Sequence, residues 1–356
     1  MKEKFRPKKS FGEWFENVGS TYVLIAPSII IFIVLTLYPI LWVMRYMFYD
    51  YDGITKAVYV GFDNFVRVFT RDALWWQSVL ITFKVAFVKI AIEIPLALIT
   101  AVMLNEPYIR GKGLFRGIYF LPTVTSAAVM SVVFTFIFSP YNGILNSLLL
   151  KLGIIKESID FLGNEKTALV TCAVVAVWQA FGQNTLLIMS GLQAISEDIY
   201  ESAQIDGAGR FMCFWKISLP LIMPTFRIIL MLAILGSLGI FDSVQVLTGG
   251  GPNGSTMVMA VNIYQKLFKN SVPEYGYTAC LSTISAVISG IIAVLYLRVS
   301  KKSEEIYYTR RSMIYAFENK KQLIGRHSAE GNHICNTYAC CIGNAFPGYI
   351  QYLRCF

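Results

Sequence analysis

EDIYESAQIDGAGRFMCFWKISLPLIMP, residues 197–224, follows one uncharged apolar run (167–190) and leads into another (217–241) whose single charge is Arg227. The stretch is too polar to cross a bilayer, yet it is not composed like a passive linker. Residues 197–206 mix acidic with apolar helix formers, and Gly207 and Gly209 then permit a tight change of direction. A second amphipathic run covers 211–217, and Pro220 and Pro224 mark the entry into the next apolar run. The pattern predicts two short helices joined by a glycine turn. Held at a membrane surface, they form a rigid knob suited to a groove on a partner protein.

The chain around this stretch has 356 residues, of which 55% are hydrophobic and 15% charged, with a mean hydropathy of +0.55. A soluble domain carries roughly 25% charged residues, and a chain this apolar has more hydrophobic surface than a soluble fold can cover. Disorder and collagen-like repeats are excluded for the bulk of the chain. Crossing a hydrocarbon core takes about 20 mostly apolar residues. Six runs meet that requirement: 22–44, 79–104, 117–138, 167–190, 217–241 and 275–297. The second contains Lys84, Lys89 and Glu93, and a Ser-Pro-Tyr-Asn-Gly turn at 139–143 closes the third. The first is too long for the roughly 7–15-residue core of a cleavable signal peptide and reads as a retained anchor.

With the N-terminus inside, the inner segments hold 19 lysines and arginines and the outer segments nine. Basic loops favour the cytoplasm, so both termini are expected there. The net charge of +9 is thus a topology signal rather than a nucleic-acid footprint. The expected fold is an all-α integral membrane protein with six transmembrane helices and cytoplasmic N- and C-termini. Residues 1–21 form a basic tail, 22–300 the six-span domain with a cytoplasmic loop at 196–220, and 301–356 a second cytoplasmic tail.

The 197–224 stretch resembles the EAA loop of ATP-binding-cassette importer permeases: E-A-A, three residues, G, nine residues, I-x-L-P. Here Glu201-Ser202-Ala203 is followed after three residues by Gly207 and, nine residues on, by Ile217-Ser218-Leu219-Pro220. Ser202 in place of alanine is the single departure, a small-for-small change. Val60-Gly61-Phe62-Asp63-Asn64-Phe65 is similar to a V-G-L-x-N-[FY] run of carbohydrate permeases. Phe241-Asp242 and Thr248-Gly249-Gly250-Gly251-Pro252 resemble the F-D-x(5)-T-x-G-G-P run in the first of the two permeases of sugar importers. The resemblance covers about residues 20–300 and implies a type I importer transmembrane domain in the bacterial inner membrane.

The resemblance further implies a machine of several parts: a second related permease, two cytoplasmic ATP-binding subunits, an extracellular solute-binding protein and the lipid bilayer. The loop would seat in the cleft of an ATPase subunit. Glu201, with Ser202, Ala203 and Asp206 beside it, would meet that subunit, Gly207 would allow the turn, and Ile217, Leu219 and Pro220 would anchor the loop to the membrane helix. No cofactor is expected on this chain, since ATP and magnesium would belong to the partner ATPase. Leu247-Thr248-Gly249-Gly250-Gly251 superficially echoes an ATPase signature but falls on the outer side, and Gly111-Lys112 is followed by Gly113, not by the Ser or Thr of a phosphate loop. No catalytic residue and no metal site are expected.

Charges within a bilayer usually face a bundle interior or a cavity. Lys89 and Glu93, four apart, share a helix face and can neutralise each other. They line the transport path or form a structural pair against a neighbouring helix. Lys84 is expected to snorkel towards the outer surface. Sugars bind through aromatic faces and fans of amide and carboxylate hydrogen bonds. Trp178, Gln179, Gln183 and Asn184 in the fourth run, and Phe241, Asp242 and Gln245 after the fifth, are therefore candidates for a sugar path, although the amides can equally serve as interhelical glue.

The 301–356 tail, with His327, His333, Cys335, Cys340, Cys341 and Cys355, matches no zinc-ligand spacing and reads as a disordered or artefactual extension. The function implied is a non-catalytic permease subunit for sugars or oligosaccharides. An alternative keeps the machine but moves an anionic solute such as a glycerol phosphate ester, with Lys84, Lys89 and Arg227 as the intramembrane cations. A membrane-embedded enzyme is disfavoured because both histidines lie in the tail.

Overall fold

The computed structural model describes residues 20–106, 108–270 and 272–301. The basic stretch at 1–19 and the 302–356 tail, with its histidines and four cysteines, lie outside the described residues.

Helix α1 (Thr21–Phe48) is predominantly apolar, with Arg45 near its end, and the most apolar part of it is uncovered within the chain, while Met47 packs on the core that includes Trp75 and Met259. A short antiparallel pair, β1 (Tyr49–Asp50) and β2 (Val58–Tyr59), sets Tyr49 opposite Tyr59. Helix α2 (Asp63–Thr70) then leads into α3 (Ala73–Asn105). Helices α4 (Lys112–Val124), α5 (Ala127–Ile137) and α6 (Ile144–Lys151) precede α7 (Glu165–Gln193). Next come α8 (Glu197–Ile205), α9 (Arg210–Cys213), α10 (Leu219–Leu238), α11 (Asp242–Leu247), α12 (Met259–Phe268) and α13 (Tyr275–Lys301). Among the described residues five helical stretches are long and apolar enough to cross a membrane: α1, α3, α7, Arg210–Leu247 and α13.

The third apolar run does not form one straight helix, as its composition suggests. Helices α4 and α5 meet at 101°. Pro122 removes a backbone donor from the last turn of α4, and Thr125 is extended at φ −78°, ψ 147°. One freed carbonyl finds a new partner, and side chains tie the break to α7. Thr125 Oγ1 donates to the Pro122 carbonyl at 2.8 Å, Gln179 Nε2 to the Ala127 carbonyl at 3.1 Å, and Thr123 Oγ1 to the Gln179 carbonyl at 3.0 Å. Such re-satisfaction is what lets a broken helix persist at membrane depth. Close approach here depends on Gly182, where a Cβ would collide with the Tyr119 carbonyl.

Helices α3 and α7 form the spine. Ala97, Ala101 and Leu104 of α3 pack on Ile188, Met189 and Leu192 of α7 and on Ile222, Ile229 and Ala233 of α10. Towards the other end, Ile81 and Val85 meet Cys172, Ala173 and Ala176 of α7, Val244 and Leu247 of α11, and Val258 and Val261. The alanines on α7 let the helix backbones come together.

At that end Asp72 joins the α2–α3 corner to α12 and α13. Its Oδ1 accepts the Trp75 amide at 3.0 Å, and its Oδ2 accepts Lys266 Nζ at 2.9 Å and the Tyr277 hydroxyl at 2.6 Å. Burial alone would raise the Asp72 pKa, but these hydrogen bonds and the nearby Lys266 charge outweigh it and hold the carboxyl below its ordinary range. Arg67 pairs with Glu274 at 3.0 Å beside it.

Candidate functional site

Two arrangements stand out, one at each end of α10. The first is the 196–220 loop. Helix α8 starts after Ser196 with Glu197 and Asp198 in its first turn, where acidic groups complement the helix dipole. It ends in a paired closure: the Gly207 amide donates to the Gln204 carbonyl at 3.0 Å and the Ala208 amide to the Ala203 carbonyl at 2.9 Å. That geometry needs a left-handed residue, and Gly207 supplies φ 81°.

Past the turn, the structure differs from the expectation of a second separate helix. Residues 211–217 are the first turns of the next membrane helix. Helix α9 passes through a π-turn at Phe214–Ser218 directly into α10, with Pro220 in its opening turn. The amphipathic pattern of 211–217 is that of a helix leaving a surface and entering the bundle. Tyr200 of α8 and Ser218 share a hydrogen bond of 2.9 Å, and Ser218 Oγ also donates to the Cys213 carbonyl at 3.4 Å. Arg210 lies 3.8 Å from Glu106 and over the Tyr108 ring at 5.0 Å, tying the turn to the α3–α4 connection.

The outward face is both polar and apolar. Glu201, Ser202, Asp206 and Gly207 are exposed, as are Ile205 (86%) and Phe211 (78%), large side chains left without cover. Ser202 Oγ donates back to the Ile199 carbonyl at 3.0 Å, so its hydroxyl is satisfied inside the helix. Ala203, Ile217, Leu219 and Pro220 are half-buried, and Leu219 packs against the α3–α7–α10 core.

The second arrangement is a cavity of about 370 Å³ between α3, α7, α10 and α11. Its lining includes Lys89, Glu93, Gln179, Gln183, Asn184, Phe241 and Asp242. Lys89 Nζ donates to Glu93 Oε2 at 2.6 Å and to Ser237 Oγ at 3.2 Å, while Asn184 Nδ2 donates to Glu93 Oε1 at 2.6 Å. One buried ion pair thus binds α3 to α7 and α10, and the same pair forms a wall of the cavity. Gln183 and Asp242 are exposed to it, and the half-buried Phe241 ring rests on Tyr264 at 5.2 Å.

Of the residues expected on a sugar path, Lys89, Glu93, Gln183, Asn184, Phe241 and Asp242 come together. Trp178 is not among the lining residues; its ring meets Phe134 edge-on at 5.1 Å. Gln179 lines the cavity while bonding the α4–α5 break, and Gln245 turns a buried Oε1 inward without a partner. Ser237 escapes a sequence reading, since a single serine in an apolar run carries no periodic signal. Gly236 and Gly239 beside it leave the room that the cavity occupies.

Beyond α11 the Gly249–Gly251 run makes a compact turn, with Gly249 at φ 58° and Gly250 at φ 89°. Thr248 and Thr256 share a hydrogen bond of 2.7 Å across it, and Gln265 Nε2 donates to the Gly249 carbonyl at 2.6 Å. Among the described residues no cluster of metal-ligating side chains occurs.

Residues 93–303 match the family described as "Binding-protein-dependent transport system inner membrane component". Over 287 residues the chain is 33% identical to the multiple sugar-binding transport system permease protein MsmF of Streptococcus mutans serotype c, covering 80% of this chain and 96% of that protein. It is 35% identical over 276 residues to the lactose transport system permease protein LacF of Rhizobium radiobacter, covering 77% and 90%. A chain of a bacterial alginate ABC transporter, crystallised with an alginate pentasaccharide-bound periplasmic protein, shares the fold with a TM-score of 0.70 at 22% identity, over 83% of this chain and 98% of that one. The chain therefore belongs to the inner membrane components of binding-protein-dependent transport systems, as a membrane-embedded permease subunit and not an enzyme.

Proposed function

We propose that this permease moves sugars or oligosaccharides inward as one half of the membrane portion of an ATP-driven importer in the bacterial inner membrane. The bent pair α4–α5 counts as one crossing, giving six, with both termini cytoplasmic. Helix α8 and the Gly207 turn then face the cytoplasm and the Thr248–Gly254 turn faces outward. A second, related permease completes the path, two ATPase subunits carry the ATP and magnesium, and a solute-binding protein delivers sugar from outside. The sugar assignment rests on the names borne by MsmF and LacF.

The observation that carries this reading is the continuity of α10. Its base is hydrogen-bonded to the exposed helix α8 through Ser218 and Tyr200, and its far end supplies Leu232, Ala233 and Gly236 to the cavity. A push on α8 by a closing ATPase is therefore transmitted through one helix to the cavity wall. Rocking between inward-open and outward-open arrangements follows from such rigid-body shifts around a fixed site. The anionic-solute alternative needs an unengaged cation on the path. Lys84 and Arg227 do not line the cavity, and Lys89 is held by Glu93.

Site-directed crosslinking tests the arrangement. A cysteine replacing Glu201 should crosslink to the ATPase subunit in the assembled importer, more strongly when ATP closes it, while one replacing Tyr59 should not. Crosslinking at 59 and none at 201 would reverse the orientation.

A further inference from the structure

We infer that Asp242 acts as a charge filter, making the cavity accept uncharged glycans and refuse uronates, sulfonates and phosphate esters. The inference rests on the sugar-path reading of the cavity. Among its lining residues one ammonium, Lys89, faces two carboxylates, Glu93 and Asp242, a net charge of −1. The ammonium is already committed to Glu93 at 2.6 Å and Ser237 at 3.2 Å, with 8% of the Lys89 side chain exposed. Glu93 is spent in the same way, its second oxygen accepting Asn184 at 2.6 Å.

Asp242 is different. It stands at the first position of α11, exposed to the cavity, and its carboxylate makes no hydrogen bond or ion pair with any described residue. Its carboxylate can accept hydroxyl hydrogens from a neutral glycan, and hydrogen bonds to an ionised acceptor are the stronger kind. Gln183 adds both a donor and an acceptor, and Phe241 an apolar ring for a sugar face. An anionic glycan meets that carboxylate in a cavity whose described lining offers no free cation to offset it. Specificity of this sort arises from the repulsive element as much as from the attractive one.

The test uses the complete importer, both permeases with their ATPase subunits, in lipid nanodiscs without the binding protein. Equilibrium binding is measured for maltotriose, an uncharged trisaccharide, and for trigalacturonate, an anionic one. Wild type should bind maltotriose saturably and trigalacturonate at least roughly tenfold more weakly. Asp242→Asn should close most of that gap by tightening trigalacturonate. Gln183→Glu, which adds a second exposed carboxylate, should widen it, and it keeps the question answerable if Asp242→Asn does not assemble. Equal wild-type affinities, a preference for the uronate, or a ratio untouched by either substitution overturns the charge filter alone. If neither glycan binds saturably, the sugar-path reading falls with it.

Discussion

Tyr200 on α8 and Ser218 at the base of α10 share a hydrogen bond of 2.9 Å, joining the exposed loop helix to a membrane helix that ends at the cavity. A neutral hydrogen bond of this kind contributes about 1 kcal/mol to stability. Tyr200→Phe should therefore leave expression and assembly nearly intact. In the proposed arrangement it should still blunt the rise in ATP hydrolysis caused by a loaded binding protein. An unchanged rise in a variant of normal stability would show that the contact does not transmit the push.

The two glycines of the loop should respond oppositely. Gly207 sits at φ 81° with open space around it, so alanine there is opposed only by its backbone conformation, at about 1–2 kcal/mol. Gly209 lies at φ −69°, also in open space, and Gly209→Ala should be neutral or stabilising by about 0.5 kcal/mol. Thermal unfolding of the two variants in detergent measures the contrast. Equal effects would contradict the turn geometry.

The Lys89–Glu93 pair is buried, and removing one member strands the other charge. Glu93→Gln or Lys89→Met alone should each cost about 3–5 kcal/mol, whereas Lys89→Met combined with Glu93→Leu should recover most of that loss. Additive losses in the double variant would mean that the two residues do not act as a pair.

Asp72 predicts a pH dependence. Its folded-state pKa is depressed, so its contribution is present at pH values above the ordinary Asp value and is lost as pH falls through the folded-state value. Asp72→Asn should lower the melting temperature at pH 7, and the gap to wild type should close as the medium is acidified below that lower value. A gap that is constant with pH would assign the effect to lost packing.

Apolar run length exposes the membrane helices, because a bilayer demands about 20 apolar residues wherever the chain crosses. It does not expose the 101° break in the third run. The break is tied to α7 by Gln179, distant in the chain, which donates to the Ala127 carbonyl, and no local pattern reports that. The glycine turn is legible because left-handed backbone restricts residue choice. Residues 211–217 read as a separate helix, since amphipathicity does not say whether a helix stops. Lys89 and Glu93 declare themselves by spacing and Asn184 by polarity in an apolar run. Ser237 does not, because hydroxyls bonded back to their own helix are common in membrane segments; its Oγ donates to the Ala233 carbonyl at 2.6 Å. Chemistry groups Trp178 with the path, whereas its helical angle turns it towards Phe134.

The central claim is that the Glu201–Pro220 loop couples this permease to an ATPase. Its most direct test is ATP hydrolysis in vesicles holding the whole importer, with sugar-loaded binding protein inside or absent, for wild type and for Gly207→Pro. The loaded binding protein should stimulate the wild-type importer, and the variant, with its left-handed turn forbidden, should show no stimulation although it still assembles. Stimulation of the variant to the wild-type level would contradict the claim.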